Sequence, residues 1–363
     1  MNKLYLPISK LQLLRDIVRR KLGIALFDKE KNNLASMQNE SIKRIVFLRW
    51  DAKLGDSFVS SSSFNAIRRS APDCKISVIT TPAMSDLFTK HFGVDEVLQL
   101  PKRPKYKQLN KLAKDLGEVD LVIALNDNMK MKDIYFLNLV KARHIASTDD
   151  RLKLVDIKLG TKTKDLHFSG KFKTALEAVG IQAPSIDYTI PLLPDSQDKV
   201  KQFLSKNEIA APFLALNPFG SGHSRKLSTE SVQKLIHLVH SSAPELPVVI
   251  MSSPDTRKEA EIMSKEGGRN VFHFGESENI FDIIALIESS EYVASVDTAT
   301  VHIASGLNKP QFCIYNFDLK NFTQWGPNSE IAISVFSRDT TPPSVNYLDW
   351  DEVKSKINLL VST

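Results

Sequence analysis

The stretch KRIVFLRWDAKLGD, residues 43–56, decides how the rest of the chain is interpreted. Its apolar run Arg44–Arg49 predicts a buried strand, and the pattern after Gly55 predicts a helix, Ser57–Arg69. A strand that passes through a glycine-containing loop into a helix is typical of a parallel sheet. Ligands of such sheets bind beyond the carboxyl ends of the strands, so we expect the chemistry of the chain in loops of this kind.

The same alternation of strand and helix continues along the chain and restarts after a Pro-rich interruption. Further strands are predicted at 76–80, 96–100, 121–125, 213–217, 248–251, 271–274, 292–296 and 311–315. Strand–helix–strand repeats give a parallel sheet covered by helices on both faces. The sequence therefore predicts an α/β fold of two Rossmann-like, doubly wound parallel-sheet domains that face one another across a cleft.

Changes in composition along the chain set the predicted domain boundaries. The predicted segments are a basic amphipathic helix and linker (1–42), a first Rossmann-like domain (43–182), a Pro-rich linker (183–196), a second Rossmann-like domain (197–340) and a C-terminal helix (341–363). Within the first segment, the polar stretch from Lys29 to Ser41 is interpreted as the linker. Packing of the C-terminal helix back on the first domain is one arrangement that we consider.

Composition limits the class of protein. The chain has 363 residues, 42% hydrophobic and 25% charged, which is typical of a soluble globular protein with two domains. Its apolar runs, such as Val248–Met251, are far shorter than the ~20 residues of a membrane span. Cys74 and Cys313 are too few for a disulfide framework or a zinc site, so we expect buried thiols. No secretory signal is recognised, which predicts a cytoplasmic protein.

Charge is distributed unevenly between the two halves. Residues 1–180 contain 33 basic and 20 acidic side chains, a net +13, whereas residues 181–363 contain 15 and 22, a net −7. This asymmetry indicates an anionic partner on the first half, which could be nucleic acid, anionic lipid or a phosphorylated substrate.

The N-terminal segment predicts an amphipathic helix over residues 8–22. Its apolar stripe consists of Ile8, Leu11, Leu14, Val18 and Leu22, and Lys10, Arg15, Arg19 and Lys21 lie elsewhere on the helix. Two interpretations remain open: attachment to an anionic membrane surface, and packing on the first domain.

The loop after the first strand carries Asp56 at the predicted helix start. One interpretation makes Asp56 the N-cap of that helix, which is a common role for aspartate. The other makes it a general base aimed into the cleft.

The loop NPFGSGHSRK, Asn217–Lys226, follows the first strand of the second domain. Small residues expose backbone N–H groups and the adjacent Arg225 and Lys226 supply charge, so the loop suits phosphate oxygens. It has neither the Gly-Lys-Ser/Thr of a P-loop nor the full dinucleotide fingerprint. A flexible turn with solvated cations is the alternative.

The loop SVDTATVH, Ser295–His302, joins a buried strand to a helix that opens near Thr298. Free amides at a helix start suit an anion, but Asp297 beside them suits sugar hydroxyls better. The alternative makes Asp297 or Thr298 a helix cap and His302 a buried core histidine.

A basic run in the first domain has three interpretations. Lys102, Arg103, Lys105, Lys107, Lys111 and Lys114 could form the solvated face of the helix Tyr106–Leu116, or contact the phosphates and acidic sugars of a lipid acceptor. Nucleic-acid binding is the third. Tyr106 alone interleaves the cations and no recognition-helix motif is present, which disfavours it.

Together these motifs resemble glycosyltransferase family 9, the heptosyltransferases. The matching segments are Leu54-Gly55-Asp56, Ala66-Ile67-Arg68-Arg69 with Pro72-Asp73, Leu216-Asn217-Pro218 with Lys226, Ser253-Pro254-Asp255, Val296-Asp297-Thr298 with His302, and Leu307-Asn308-Lys309-Pro310 with Trp325-Gly326-Pro327. The resemblance covers residues from about 43 to 330, in the same order. Two features depart from it: Ala299 replaces the usual glycine after Asp-Thr, and Asp51 and Lys53 are unusual in the first loop.

The resemblance implies a GT-B fold, with the acceptor on the first domain and the nucleotide-sugar on the second. It assigns Asp56 as the catalytic base, Asp297 to the donor sugar, and Asp255 to the ribose as a looser match. Donor phosphate contacts fall on Lys226, Ser221, Thr298 and Ala299, to which the loop pattern adds Arg225. Gly55 and His302 are supporting residues, and Lys53, Lys102, Arg103, Lys105 and Lys107 are candidate acceptor contacts.

The activity implied is inverting transfer of heptose from ADP-L-glycero-D-manno-heptose to the inner core of lipopolysaccharide or lipooligosaccharide. No cofactor and no essential metal are expected; Asp349-Trp350-Asp351 precedes a terminal helix, where capping is the better explanation. Expected partners are ADP-heptose, an anionic glycolipid acceptor such as Kdo-lipid A or extended core, and the cytoplasmic surface of the inner membrane, but no nucleic acid. The alternatives are a family member with another sugar-nucleotide donor, a sugar-nucleotide epimerase and a non-enzymatic nucleic-acid-binding protein.

Overall fold

The computed structural model describes residues 5–30, 41–51, 53–183 and 185–362, with side chains from residue 12 onward. Most of the predicted linker from Lys29 to Ser41 lies outside these residues. The chain divides into two compact units. The first contains the residues up to Lys53 together with Ser60–Ile186; the second contains Leu54–Val59 together with the chain from Asp187 onward.

The first unit is built on a parallel sheet. Its strands are β1 (Arg44–Arg49), β2 (Lys75–Thr80), β3 (Glu96–Gln99), β4 (Glu118–Ala124), β5 (Lys141–Ser147) and β6 (Ile157–Lys158), in the order β3-β2-β1-β4-β5-β6. Its helices are α1 (Tyr5–Phe27), α2 (Leu54–Ser70), α3 (Pro82–Asp86) followed by a π-helical turn (Leu87–His91), α4 (Tyr106–Leu116), α5 (Met131–Leu139) and α6 (Phe168–Glu177). The first turn of α2 belongs to the second unit. Ile45, Val46 and Phe47 are fully buried, as a strand covered on both faces requires.

The second unit repeats this architecture. Its strands are β7 (Leu214–Asn217), β8 (Val248–Met251), β9 (Val271–Phe274), β10 (Tyr292–Val296), β11 (Gln311–Tyr315) and β12 (Ala332–Phe336), in the parallel order β12-β11-β10-β7-β8-β9. Its helices are α7 (Pro194–Lys206), α8 (Thr229–Ser242), α9 (Arg257–Glu266), α10 (Ile280–Ser289), α11 (Ala299–Gly306), α12 (Leu319–Trp325) and α13 (Trp350–Val361). Two doubly wound parallel sheets confirm the predicted fold class.

The N-terminal helix α1 packs on the first unit through its C-terminal half. Ile24 and Phe27 pack against the apolar core of that unit. Arg20 Nη2 forms an ion pair of 2.7 Å with the fully buried carboxylate of Asp149. The helix therefore packs on the first unit, but not through the predicted stripe, since Leu14, Val18 and Leu22 are 58%, 48% and 50% exposed. The predicted stripe residues Ile8 and Leu11 have side chains outside the described set.

The C-terminal helix α13 packs on the second unit and not on the first domain. Packing on the first domain was considered, but Val353, Ile357 and Leu360 join the core of the second unit, beside residues of α8. Asp349 caps this helix, since its Oδ1 accepts from the backbone N–H of Asp351 at 3.1 Å and of Glu352 at 3.3 Å. The capping interpretation of Asp349-Trp350-Asp351 is confirmed.

Candidate active site

The site in the second unit lies where the strand order reverses, between β7 and β10. Asn217, the last residue of β7, donates from Nδ2 to Thr300 Oγ1 at 2.8 Å, and its Oδ1 accepts from the Phe219 N–H at 3.2 Å. The buried Asn217 amide thus ties the loop after β7 to the start of α11. Crevices at such reversals are where parallel sheets hold ligands.

Helix α11 begins beside this amide. Thr298 is its N-cap, and Thr298 Oγ1 accepts from the Thr300 N–H at 3.2 Å. The predicted helix start near Thr298 and the capping alternative for Thr298 are confirmed together. Amides of the first turn that have no acceptor within the helix give this end a partial positive charge, which favours an anion.

Asp297 lies immediately before α11 and is 8% exposed. Its Oδ2 is 3.2 Å from Arg225 Nη1 and accepts from Asn321 Nδ2, also at 3.2 Å. The sequence assigned Arg225 and Asp297 to different parts of the donor, and the structure pairs them. Asn321, on α12, was not predicted. The guanidinium offsets the carboxylate charge that would otherwise repel a phosphate at this end of the helix.

The loop after β7 folds tightly on itself. A Cβ added to Gly220 would lie 2.4 Å from the Arg225 carbonyl oxygen, so a side chain at this position would displace Arg225. Ser221 is exposed near the tip of the loop, just before a short 3-10 turn at His223–Arg225. The close approach at Gly220 therefore helps to fix the position of the Arg225 backbone, from which the side chain extends.

Lys226 ends this loop and is about one-third exposed. Its ammonium forms a short ion pair with Glu259 on α9 and lies 5.7 Å from the ring centre of Phe219. The Lys226 carbonyl oxygen accepts from Asn346 Nδ2 at 3.0 Å. Glu259 is a further residue that the sequence did not reveal. Because the pair is partly exposed, an incoming phosphate can compete with Glu259 for the ammonium.

A cavity of about 320 Å³ opens beside the start of α11. It is lined by apolar side chains and small polar ones: Leu54, Asn217, Phe219, Met251, Ser252, Ser253, Pro254, Thr256, Ser277, Asn279, Ile280, Ile283, Thr298, Ala299 and Thr300. Asp255, the looser ribose candidate, does not line it, although both its neighbours do. The volume and the apolar side chains of the lining suit a flat apolar group such as a nucleobase.

The first turn of α2, which belongs to the second unit, packs at the start of α11. A Cβ on Gly55 would lie 3.0 Å from His302 Cδ2 and 3.3 Å from Ala299 Cα, which explains a glycine here. Asp56 is the third residue of α2 and is half-buried. Lys53 is the N-cap, so the N-cap interpretation of Asp56 is wrong. His302 is buried, with its ring centre 6.3 Å from that of Trp325.

The candidate acceptor residues form a separate group in the first unit. Lys102, Arg103, Lys105 and Lys107 are all exposed, in the loop before α4 and in its first turn. Lys53 is exposed directly before α2. Acceptor binding by these five cations stays a prediction.

Neither cysteine belongs to the site. Cys74 and Cys313 are free, buried thiols, as predicted, and burial raises the pKa of Cys74 to about 11. Among the described residues, no group of three or more His, Cys, Asp or Glu side chains is placed to hold a metal ion. No helix in the described part of the chain has the length and apolar character to cross a membrane.

Comparison with known proteins agrees with this geometry. Residues 109–349 match the family model described as "Glycosyltransferase family 9 (heptosyltransferase)". The "Putative lipopolysaccharide heptosyltransferase 4" of Escherichia coli (strain K12) is 21% identical over 367 aligned positions, which cover 95% of this chain and 93% of that protein.

Two solved structures share the fold. A glycosyl transferase family 9 protein from Veillonella parvula DSM 2008 is 16% identical with a TM-score of 0.70, covering 90% of this chain and 99% of that one. The E. coli ADP-heptose lps heptosyltransferase II is 14% identical with a TM-score of 0.63, covering 88% and 99%. The fold is thus of the GT-B type. With a family match over most of its length, the chain belongs to glycosyltransferase family 9, the heptosyltransferase family.

Proposed function

We propose that this family 9 glycosyltransferase transfers heptose from ADP-L-glycero-D-manno-heptose to the inner core of lipopolysaccharide or lipooligosaccharide, with inversion at the anomeric carbon. The observation that carries the proposal is the juxtaposition of Asp297, Arg225 and the start of α11 beside an apolar cavity. A nucleotide-sugar needs an apolar place for its base, positive potential for its diphosphate and hydrogen-bond acceptors for its sugar. The second unit offers all three around the start of α11.

The proposed donor arrangement follows the polarity of that crevice. The base occupies the cavity between Phe219, Met251 and Ile283, and the diphosphate lies at the Thr298 and Ala299 amides. Lys226, Ser221 and Arg225 contact its oxygens from the loop after β7, and Asp297 accepts from the heptose hydroxyls. Arg225 can bind both the diphosphate and Asp297 because a guanidinium has five N–H donors.

The proposed reaction is a single displacement. Asp56 accepts the proton of the acceptor hydroxyl while that oxygen forms a bond to the anomeric carbon. The bond between this carbon and the β-phosphate oxygen breaks at the same time, and ADP leaves from the opposite face with the bonding electron pair. Lys226, Arg225 and the α11 amides stabilise the charge that develops on ADP. We propose that these groups act without an essential metal ion.

The acceptor and its location complete the proposal. The first half of the chain carries the net +13, so we propose that its exposed cations, among them Lys102, Arg103, Lys105 and Lys107, meet an anionic glycolipid such as Kdo-lipid A or extended core. Such an acceptor would place the enzyme at the cytoplasmic surface of the inner membrane. Nucleic acid is not proposed as a partner.

One assay tests the donor and the acceptor together. The protein is incubated with ADP-heptose and a panel of truncated, detergent-dispersed core acceptors, and the products are read by mass. An added heptose on one acceptor, with no product from ADP-hexose or UDP-hexose donors, supports the proposal. Transfer from a hexose donor alone would replace the donor assignment, whereas conversion of a sugar nucleotide without any acceptor would indicate an epimerase.

A further inference from the structure

Helix α1 has one face that is fixed to the first unit. A Cβ on Gly23 would lie 2.8 Å from Met131 Cα, so the two backbones are in close contact. The Phe27 ring meets the edge of the Tyr135 ring with centres 4.9 Å apart, and Arg20 pairs with Asp149. These contacts set which side of α1 faces the unit.

Residues 13–26 of α1 carry a row of exposed apolar side chains. Leu14, Val18, Leu22 and Leu26 follow one another at four-residue spacing and are 58%, 48%, 50% and 54% exposed. The side chains of Leu13 and Ile17 are also exposed, by 63% and 43%. Residues four apart are neighbours on a helix, so these side chains form a continuous apolar patch. Patches of this kind usually mark a surface that binds something apolar.

Cations accompany this patch. Arg15, Arg19 and Lys21 are exposed within the same three turns, and the acidic Asp16 there lies 3.6 Å from Arg15. A helix with exposed leucines, interleaved Lys and Arg, and little acidic charge has the composition of one that lies in a membrane interface.

A second basic helix lies in the same layer. The Tyr135 ring on α5 contacts Phe27 of α1 and, with centres 4.8 Å apart, Tyr106 of α4. Helices α1, α5 and α4 are therefore consecutive neighbours. On α4, Leu109, Leu112, Ala113 and Leu116 are buried, while Lys107, Lys111 and Lys114 are exposed. Their spacing of four and three residues puts the three lysines on one face.

We propose that the exposed face of α1 and the lysine face of α4, together the α1–α4 surface, dock the protein on an anionic lipid bilayer. The leucines of α1 enter the boundary between headgroups and acyl chains, and the cations of α1 and α4 contact lipid phosphates. No helix spans the bilayer in this arrangement, in keeping with the finding for the described residues.

The charges on the same surface argue against a second copy of the chain as the occupant. A two-fold dimer through α1 would set the same patch against itself, with Arg15, Arg19 and Lys21 of one copy near those of the other. Like charges at short range are unfavourable, whereas anionic headgroups neutralise them. The inference deepens the membrane location given with the proposed function by identifying the docking surface. It depends on α1 and α4 alone and would hold for any sugar donor.

Vesicle co-sedimentation of the full chain tests the apolar part. Wild type is expected to bind vesicles of phosphatidylcholine with one-third phosphatidylglycerol, and to bind pure phosphatidylcholine poorly. L14Q/L22Q is expected to lower the partition coefficient about tenfold, because two leucine side chains lose their burial in lipid. The matched control I262Q/L359Q changes two side chains of the second unit with similar exposure, 52% and 59%, and should bind like wild type.

Two lysines of α4 that are not proposed to contact the acceptor test the electrostatic part. K111Q/K114Q is expected to weaken binding to the anionic vesicles about tenfold and to reduce the salt dependence of that binding. The control K201Q/K206Q, on exposed lysines of α7, should bind like wild type. Circular dichroism and the Tm check that each variant is folded, and transfer to a detergent-dispersed acceptor checks the active site separately.

Three outcomes would overturn the proposal. They are equal binding of wild type and L14Q/L22Q to anionic vesicles, equal binding of wild type to neutral and anionic vesicles, and a wild-type dimer in light scattering that L14Q/L22Q dissociates. The last result would assign the apolar face to a second copy. A failure of heptose transfer with normal vesicle binding would count against the proposed function and leave the docking surface standing.

Discussion

Arg225 and Asp297 form an ion pair of 3.2 Å although they come from loops after different strands, β7 and β10. The pair places positive and negative charge side by side at the start of α11. The guanidinium separates the carboxylate from a diphosphate at this end of the helix, as the proposed role of Asp297 in sugar binding requires.

Replacement of the proposed base, Asp56→Asn, removes the proton acceptor and keeps the size of the side chain. We expect kcat to fall by about 10²–10⁴-fold with little change in the donor KM, because general base catalysis contributes this much. Steady-state kinetics with ADP-heptose measures it. Asp73→Asn, in the exposed turn after α2, is the matched control. Near-normal turnover of a folded Asp56→Asn variant would remove Asp56 from the mechanism.

Loss of the loop cation, Lys226→Ala, removes a charge that we place on the leaving diphosphate. We expect kcat/KM to fall by about 100-fold, corresponding to ~3 kcal/mol for a preorganised charge donor. Glu259→Gln removes the ion-pair partner of Lys226 and leaves the ammonium in place, so its kcat/KM should change less than tenfold. Equal losses in the two variants would mean that the ion pair itself, and not the cation, matters.

Asn321 is predicted to position Asp297. Asn321→Ala removes the hydrogen bond to Asp297 Oδ2, and we expect the donor KM to rise several-fold, with a smaller effect on kcat. Thr323→Ala, on the same helix, is the control. An unchanged donor KM in Asn321→Ala would show that Asp297 is held well enough by its other contacts.

The tight loop after β7 is predicted to require a glycine. Gly220→Ala places a methyl group against the Arg225 backbone, so we expect a lower Tm and a raised donor KM. In Gly170→Ala, on α6, the new Cβ would meet Leu166 Cβ at 3.4 Å, an ordinary contact, and helix propensity favours alanine by roughly 0.5–1 kcal/mol. The two variants should therefore shift the Tm in opposite directions. A Gly220→Ala variant with wild-type Tm and KM would contradict this explanation of the loop.

The buried imidazole of His273 is predicted to make the folding stability of the protein depend on pH. Burial lowers the pKa of its imidazole below the ordinary 6.5, and its Nε2 lies 2.8 Å from Ser252 Oγ. The unfolded chain therefore binds more protons than the folded one below about pH 6.5, and stability is lost as the pH falls through this value. Between pH 7.5 and 5.5, Tm should fall more for wild type than for His273→Gln. Parallel curves would mean that His273 does not contribute.

The sequence predicted most of the apolar strands of both sheets, although the apolar strand β12 (Ala332–Phe336) was not predicted. Arg44–Arg49 and Val248–Met251 are strands at the predicted residues. β5 was not predicted, because its sequence KARHIAS carries three basic residues within a strand that neighbouring elements bury. β6 has two residues, too few to produce a pattern.

The sequence predicted only part of the site. Local motifs located the loops after β1, β7 and β10, since each loop is one continuous stretch of chain. The pairs Arg225–Asp297 and Lys226–Glu259 and the bond from Asn321 to Asp297 join separate elements, and no spacing within a motif encodes them. The role of Asp56 remains a prediction, although its place in the first turn of α2 excludes the capping role that competed with it.

The buried pair of Arg20 and Asp149 determines how α1 can be studied. The Asp149 carboxylate is fully buried and also accepts from the Met129 N–H at 3.0 Å, while Arg151, its other cation, is largely exposed. A truncated chain that begins after α1 would keep this carboxylate and lose its buried counter-ion, a change that typically costs on the order of 3 kcal/mol. Deleting the helix would therefore weaken the sheet beneath it, and lost membrane binding in such a truncation would measure partial unfolding together with docking. Point changes on the outer face of α1 separate the two effects.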